Sequence, residues 1–273
     1  MIAWEGRHKA TRNMVARTNW EASSGRGIRS ARIDLLLILP WFILLSNAGD
    51  GVSQFVSFPQ ADSPEEFDGY LVVLSKSTPV DVISAARQFE KNWPESQLLG
   101  PVCQMELEAY RSLNDPPHAI EAGERALKFA PGNLAVTADL ASILADVATD
   151  PQRLDQAEQY AHKTLEALKS FKVPKWVAPE KWEKIQGHLK SEAHAALGLV
   201  AYKRGEIPQA IREFETAIDF APEPEPTEYY RLGRLYQVNG DKPAAIQKLR
   251  QAAAMNDPTI RQLAQKVLKA LDH

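Results

Sequence analysis

Two stretches near the C-terminus decide the fold: residues 191–224, SEAHAALGLVAYKRGEIPQAIREFETAIDFAPEP, and residues 226–259, PTEYYRLGRLYQVNGDKPAAIQKLRQAAAMNDPT. Aligned at an offset of 35, they share seven identical positions, whereas unrelated sequences of average composition would share about two. The identical pairs are Leu197/Leu232, Gly198/Gly233, Gly205/Gly240, Pro208/Pro243, Ala210/Ala245, Ile211/Ile246 and Ala217/Ala252. A fixed period in the mid-thirties predicts stacked helical hairpins, each made of a first and a second helix.

The repeated positions have physical roles in such a hairpin. Gly198 has no side chain, so the second helix can approach the first closely at that level. Gly205 ends the first helix in the left-handed conformation that glycine adopts at little cost. On the second helix, Ala210, Phe214 and Ala217 form the inner stripe. The second stretch repeats these roles with Leu232, Gly233, Tyr236, Gly240, Ala245, Leu249 and Ala252.

The spacing of Leu-Gly, Ala, Phe, Ala and Pro in residues 191–224 resembles the tetratricopeptide repeat family. The chain departs from that pattern at the first aromatic position, which is His194, while the next repeat has Tyr229 there. The resemblance implies an all-α fold, a right-handed superhelical solenoid of helix-turn-helix repeats that ends in a capping helix.

Weaker copies of the pattern extend towards the N-terminus, where Ala119, Ala126 and Pro131 keep the spacing of a second helix. Helix starts are also predicted at Pro64 and Pro79, each preceded by a capping hydroxyl residue. The predicted solenoid, residues 63–272, comprises a degenerate repeat at 63–96, repeats at 100–133, 134–168, 191–224 and 226–259, an insertion at 169–190, and a capping helix at 259–271.

The insertion interrupts the period between two prolines, Pro174 and Pro179. From about Pro179 to Arg204 the apolar positions continue at helical spacing, which predicts one long helix. Trp176 and Trp182 are interpreted as packing this insertion onto the solenoid, with a partner-binding flap as the alternative.

The first 48 residues predict a signal peptide or N-terminal membrane-targeting segment, joined to the solenoid by a flexible linker at 49–62. Seven Lys/Arg and three acids accompany eleven apolar residues at 35–45. As a helix these eleven would span roughly 17 Å, a length that suits a signal peptide better than a transmembrane anchor. Ser46 and Ala48 provide the small residues that signal peptidase requires at −3 and −1.

Export to the periplasm or envelope is therefore predicted. The alternatives are an uncleaved anchor in the inner membrane, with association through residues 35–45, and a buried helix; Met14 is an alternative start. The stretch at 89–96, FEKNWPES, resembles a repeat ending common in tetratricopeptide proteins of the bacterial cell envelope.

Composition and motifs argue against several functions. After residue 48 the chain has 25 Lys/Arg and 32 Asp/Glu, an unfavourable balance for binding nucleic acid. The six histidines form no metal-binding motif, and no nucleotide or hydrolase motif occurs. Cys103, the single cysteine, is interpreted as a small core residue. The sequence predicts no enzyme, no cofactor and no metal.

The resemblance implies a concave groove, lined by the first helices, for a protein or peptide partner. Carrying its positions over gives Glu192, Ala195, Leu199, Tyr202, Lys203, Thr227, Tyr230, Arg234, Gln237 and Val238 in the last two repeats. In the second and third repeats it gives Gln104, Glu108, Arg111, Ala135, Ala138, Ser142 and Asp146. Tyr and Arg commonly anchor interfaces, so Tyr202, Lys203, Tyr230 and Arg234 are the main candidates; packing between repeats is the alternative for Tyr202.

Two functions follow from these predictions. The first is an exported scaffold that holds one defined partner in an envelope complex. The second is a chaperone-like receptor module that captures many short peptides or unfolded segments. The export signal and the envelope-type repeat ending favour the scaffold.

Overall fold

A computed structural model describes residues 59–175 and 177–271. Within these ranges the chain forms α-helices and no β-strand, which confirms the all-α prediction. The helices are α1 (Pro64–Leu74), α2 (Pro79–Asn92), α3 (Leu99–Ser112), α4 (Pro116–Phe129), α5 (Leu134–Val147), α6 (Pro151–Ser170), α7 (Pro179–Lys203), α8 (Ile207–Phe220), α9 (Pro226–Val238), α10 (Lys242–Ala254) and α11 (Pro258–Leu271). The described residues divide into two compact units between Trp182 and Glu183.

The first unit contains three helical hairpins, α1–α2, α3–α4 and α5–α6. The predicted helix starts are confirmed, because Ser63 accepts a hydrogen bond from the backbone N–H of Glu66 and Thr78 from that of Asp81. One core cluster, which includes Tyr70 and Phe89, joins α1, α2 and α3. Another, centred on Leu107 and Leu140, joins α3, α4 and α5.

The long helix predicted after the insertion is α7, 25 residues from Pro179 to Lys203. In its first turn the ring of Trp182 stacks on that of Phe171, the residue that follows α6, with centroids 4.8 Å apart. Val177, which lies between these two residues in the sequence, is buried. Trp182 therefore contacts another residue of the predicted insertion, and its packing onto the solenoid stays a prediction; the side chain of Trp176 lies outside the described residues.

The second unit contains most of α7, the hairpin partner α8, the hairpin α9–α10, and α11. α11 contacts both α9 and α10. Its apolar residues Ile260, Ala264 and Val267 share a core cluster with Tyr230 and Leu249. α11 thus covers the apolar face that the last hairpin would otherwise leave in water.

Close approach of the two helices defines each hairpin of the second unit. A Cβ atom added to Gly198 would lie 2.7 Å from Cδ2 of Phe214, and one added to Gly233 would lie 2.8 Å from Cγ of Leu249. Real Cβ atoms do not approach other carbon atoms so closely. Glycine is therefore required on the first helix wherever a large residue on the second helix points at it.

The hairpin α3–α4 makes the same contact with the partners exchanged. At an offset of 91 from residues 198 and 214, this hairpin has Leu107 on its first helix and Gly123 on its second. A Cβ atom at Gly123 would lie 2.6 Å from Cδ1 of Leu107. In each hairpin a large side chain on one helix fills the space beside a glycine on the other. The glycine lies on the second helix in α3–α4 and on the first helix in the second unit, which explains why this repeat matches the sequence pattern only weakly.

The first helices end in a left-handed residue in three hairpins. Gly205 and Gly240 have φ angles of 81° and 84°, and Asn114 takes the equivalent position with φ of 56°. In each case the next backbone N–H bonds to a carbonyl five residues before it, as from Asp115 to Tyr110. Asparagine is the other residue type that tolerates this conformation.

A buried ion pair replaces apolar packing between α3 and α4. Glu106, whose side chain is 1% exposed, accepts hydrogen bonds from Arg87 on α2 and Arg125 on α4. Arg125 also contacts Glu90. Burial raises the pKa of the neighbouring Cys103 thiol to about 12, and Cys103 belongs to the core, as predicted.

The contact between Gly198 and Phe214 can be tested by measuring the stability of substituted proteins. Gly198→Leu should lower the free energy of unfolding by about 1–3 kcal/mol or more through overpacking against Phe214. In a Phe214→Ala background the same substitution should cost less, by at least about 1 kcal/mol, because the added side chain fills the space left by the ring. Urea unfolding followed by circular dichroism measures both costs. The matched control is Gly198→Leu with Leu249→Ala, where the effects should add; equal cost in all backgrounds would refute the contact.

Cys103 gives a second test. Because its pKa is raised to about 12 by burial, the thiol stays protonated up to pH 10 and reacts slowly. A thiol reagent at pH 8 should label the folded protein at least about a hundredfold more slowly than the urea-unfolded protein, with labelling read by mass spectrometry. Rapid stoichiometric labelling of the folded chain would contradict this environment.

Candidate protein-interaction surface

The C-terminal ends of α7 and α9 occupy equivalent positions in the two repeats of the second unit. Each helix is followed by a left-handed glycine, Gly205 or Gly240, two residues after its last groove candidate. The side chain of Tyr236 lies on another face of α9, where its Oη atom donates a hydrogen bond to Glu215 on α8 at 2.5 Å. Burial is the largest cause, and this hydrogen bond the second, of a rise in the pKa of Tyr236 to about 12. Tyr236 is therefore a contact between repeats, and its position fixes which face of α9 points outward.

Five of the predicted groove residues reach solvent at these helix ends. Tyr202 is 49% exposed and Val238 is 57% exposed, both high values for apolar or aromatic side chains. Lys203 and Arg234 are exposed as well, and Gln237 is partly exposed. The Oε1 atom of Gln237 is buried and has no hydrogen-bond partner among the described residues. We call these five residues the helix-end surface: Tyr202, Lys203, Arg234, Gln237 and Val238.

Four other predicted groove residues of the second unit are buried: Glu192, Ala195, Leu199 and Tyr230. Tyr230 is 6% exposed and packs against Ile260 and Val267 of α11. Its assignment as an exposed anchor is corrected, because the capping helix covers it. Glu192 and Leu199 are also buried, and Nε2 of His188 lies 3.9 Å from Oε2 of Glu192.

The aromatic position that departs from the repeat pattern forms a cluster of its own. The ring of His194 stacks on Phe220, with centroids 5.7 Å apart, and its Nδ1 atom lies 2.8 Å from Oε2 of Glu213. The ammonium group of Lys190 lies 4.9 Å from the centroid of the same phenylalanine. These contacts tie α7 to the end of α8, so His194 supports the hairpin and is not part of the helix-end surface.

In the first unit the equivalent surface is formed by α3 and α5. Gln104 is buried and accepts a hydrogen bond at 2.7 Å from Asn133, the residue that caps α5. Arg111 of α3 pairs with Asp139 of α5. Three of the predicted groove residues of this unit are buried and are corrected as groove-lining residues: Gln104, Ala138 and Ser142. The other four reach solvent, with Glu108 exposed and Arg111, Ala135 and Asp146 partly exposed.

Within 59–175 and 177–271, no group of three or more His, Cys, Asp or Glu side chains could hold a metal ion. None of the helices in these ranges is both long enough and apolar enough to cross a membrane. The predicted targeting segment at 1–48 lies outside the described residues.

Solved structures with this fold come from several bacterial proteins. PilW, a widely conserved type IV pilus biogenesis factor, gives a TM-score of 0.55 at 15% identity, covering 77% of this chain and 87% of that chain. MamA 41-end from Desulfovibrio magneticus RS-1 gives 0.53 at 13% identity, covering 70% and 95%. PilF of Pseudomonas aeruginosa gives 0.51 at 17% identity, covering 76% and 86%.

No protein-family model and no curated protein matches the sequence. The similar structures are tetratricopeptide repeat proteins. The repeated sequence positions, the helical hairpins that they form and these shared folds together identify the chain as a protein of the tetratricopeptide repeat fold.

Proposed function

We propose that this chain is a non-enzymatic scaffold that binds a protein partner through the helix-end surface and acts in the bacterial envelope. The observation that carries the proposal is the exposure of Tyr202 and Val238 at equivalent ends of two first helices. Exposed apolar side chains that are grouped near charged ones are typical of an interaction site.

The chemistry of the helix-end surface suits an interface anchor. Tyr202 offers a large ring with few rotatable bonds, and Arg234 offers a planar group with several donors; both types are enriched among residues that dominate binding energy. Gln237 adds an amide whose oxygen has no partner within the described ranges. A partner that donates a hydrogen bond to this oxygen would satisfy a buried acceptor.

The location rests on the N-terminal pattern. A basic segment, the apolar residues 35–45 and small residues at 46 and 48 are typical of an export signal. PilW, which has the same fold, is a type IV pilus biogenesis factor, and a place in the envelope is compatible with that likeness. An uncleaved segment would anchor the scaffold in the inner membrane, and either outcome exposes the repeats on the outer side of that membrane.

The proposed surface is tested by affinity purification of the tagged full-length chain from its native cells after cross-linking. One stoichiometric partner should co-purify with the natural protein. The variant Tyr202→Ala/Arg234→Glu should lose at least about tenfold of the captured partner, because truncating anchors of this type commonly costs more than 1 kcal/mol.

The matched control is Gln247→Ala/Arg250→Glu, which makes the same change of charge at exposed positions of the second helix α10. It should retain the partner, and both variants should keep the natural melting temperature. Undiminished capture by Tyr202→Ala/Arg234→Glu would refute the helix-end surface. A broad set of weakly bound peptides in place of one partner would favour the chaperone-like receptor.

A further inference from the structure

The segment that follows α6, residues 171–182, reverses the charge of the first unit. Residues 59–170 carry 18 acidic and 9 basic side chains, whereas this segment carries 1 acidic and 3 basic side chains. Its basic residues, Lys172, Lys175 and Lys181, are exposed and have no ion-pair partner among the described residues. Positive charge is thus concentrated in one short segment of an acidic unit, and an anionic surface would be attracted to that segment.

The segment lies at a projecting end of the hairpin α5–α6. Lys163 of α6 donates a hydrogen bond of 3.3 Å to the backbone carbonyl of Pro131, which precedes the start of α5 by three residues. Residues 164–170 of α6 therefore extend about 10 Å beyond the start of α5. Because residues 171–182 follow this extension directly, they lie at the end of the hairpin, where a flat surface can reach them.

The stack between Phe171 and Trp182 closes this segment into a loop. The two rings, with centroids 4.8 Å apart, bring together the two ends of the stretch between them. Inside the loop Val177 is buried, and its N–H donates a hydrogen bond of 3.0 Å to the carbonyl of Pro174. The ring stack, the buried valine and the closed turn hold the loop in one conformation, so binding through it costs less conformational entropy.

The loop also exposes apolar surface among its lysines. Val173 is 36% exposed and lies between Lys172 and Lys175 in the sequence, while the rings of Phe171 and Trp182 are half-buried. Aromatic rings and the apolar stems of lysines are suited to the boundary between headgroups and acyl chains of a bilayer, where the ammonium groups remain among the phosphates. Protein interfaces, in contrast, are depleted of lysine. This combination therefore favours a membrane over an acidic protein.

We propose that this loop docks on the surface of a bilayer that contains anionic phospholipid. The valine and the two rings enter the headgroup region, and the lysines pair with lipid phosphates. The same bilayer repels the acidic remainder of the first unit, which orients the loop towards the membrane. We call the docking residues the insertion tip: Phe171, Lys172, Val173, Lys175, Lys181 and Trp182. This contact requires neither the helix-end surface nor the predicted targeting segment.

A fluorophore at Val173 reports the proposed contact directly. The full-length chain with Cys103→Ala and Val173→Cys is labelled with nitrobenzoxadiazole and mixed with vesicles of equal parts of phosphatidylglycerol and phosphatidylcholine. The emission should shift to shorter wavelength and be quenched by lipids brominated in their acyl chains, because the label enters the apolar boundary. Vesicles of phosphatidylcholine alone should give little shift. The same label at Glu121→Cys, an exposed position of α4, should give neither response.

Flotation of the same vesicles distinguishes the insertion tip from other routes to the membrane. A chain that floats with the vesicles while its label at 173 keeps the emission seen in water is bound by another segment, and this result would overturn the proposal. A chain that does not float would also overturn it. A label that is shielded by a co-purified protein and not by vesicles would assign the loop to a protein partner instead.

A charge variant tests the part played by the lysines. In the labelled chain, Lys172→Glu/Lys175→Glu should raise the lipid concentration needed for half of the emission change at least about tenfold, because each lysine near an anionic surface contributes to binding. The matched control Lys76→Glu/Lys91→Glu makes the same change of charge at exposed positions of the first unit and should have little effect. Equal effects of the two variants would contradict the proposal.

Thermal melting verifies that both variants fold, and the response of the natural loop sequence stands without them. Partner capture by the helix-end surface is a separate measurement on the second unit, so either inference can fail alone.

Discussion

The close contact between the two helices of each hairpin is the constraint on which the rest of the structure depends. At the level of Gly198 and Gly233 the first helix has no side chain, and a large residue of the second helix fills the gap. The alanines of the inner stripe, such as Ala210 and Ala245, are fully buried for the same reason. Because interiors are packed at the density of organic crystals, one added carbon atom here requires movement of a ring or a helix.

This constraint also explains which repeats could be predicted from the sequence. The last two repeats both satisfy it with glycine on the first helix and a large residue on the second, so their alignment is sufficient to predict the hairpins and the helix ends. The hairpin α3–α4 satisfies it with Leu107 and Gly123 in the opposite order and ends its first helix with Asn114. The pattern Leu-Gly followed by a helix-ending Gly does not match this hairpin. A pattern that pairs one large residue with one glycine across the two helices, in either order, would match it.

The candidate site could be predicted less well, because periodicity assigns a face but not the neighbours of that face. Tyr202 and Arg234 are exposed as the period indicates, whereas Tyr230 is buried under α11. The last repeat differs from an internal one because a capping helix of different sequence packs on it. For residues such as Tyr230, exposure depends on the element that follows the repeat, and that contact is absent from the repeat pattern itself.

The two units also differ in how they use charge, and this difference bears on specificity. In the second unit, Leu197 and Thr216 stand where the first unit has Glu106 and Arg125. A buried ion pair with several hydrogen bonds contributes little net stability, but removal of one partner leaves an uncompensated charge in the interior. The network from Glu106 through Arg125 to Glu90 therefore requires one arrangement of α2, α3 and α4. The helices of the first unit are thus held by charged residues that must change together, whereas the hairpins of the second unit are held by contacts between large and small apolar residues.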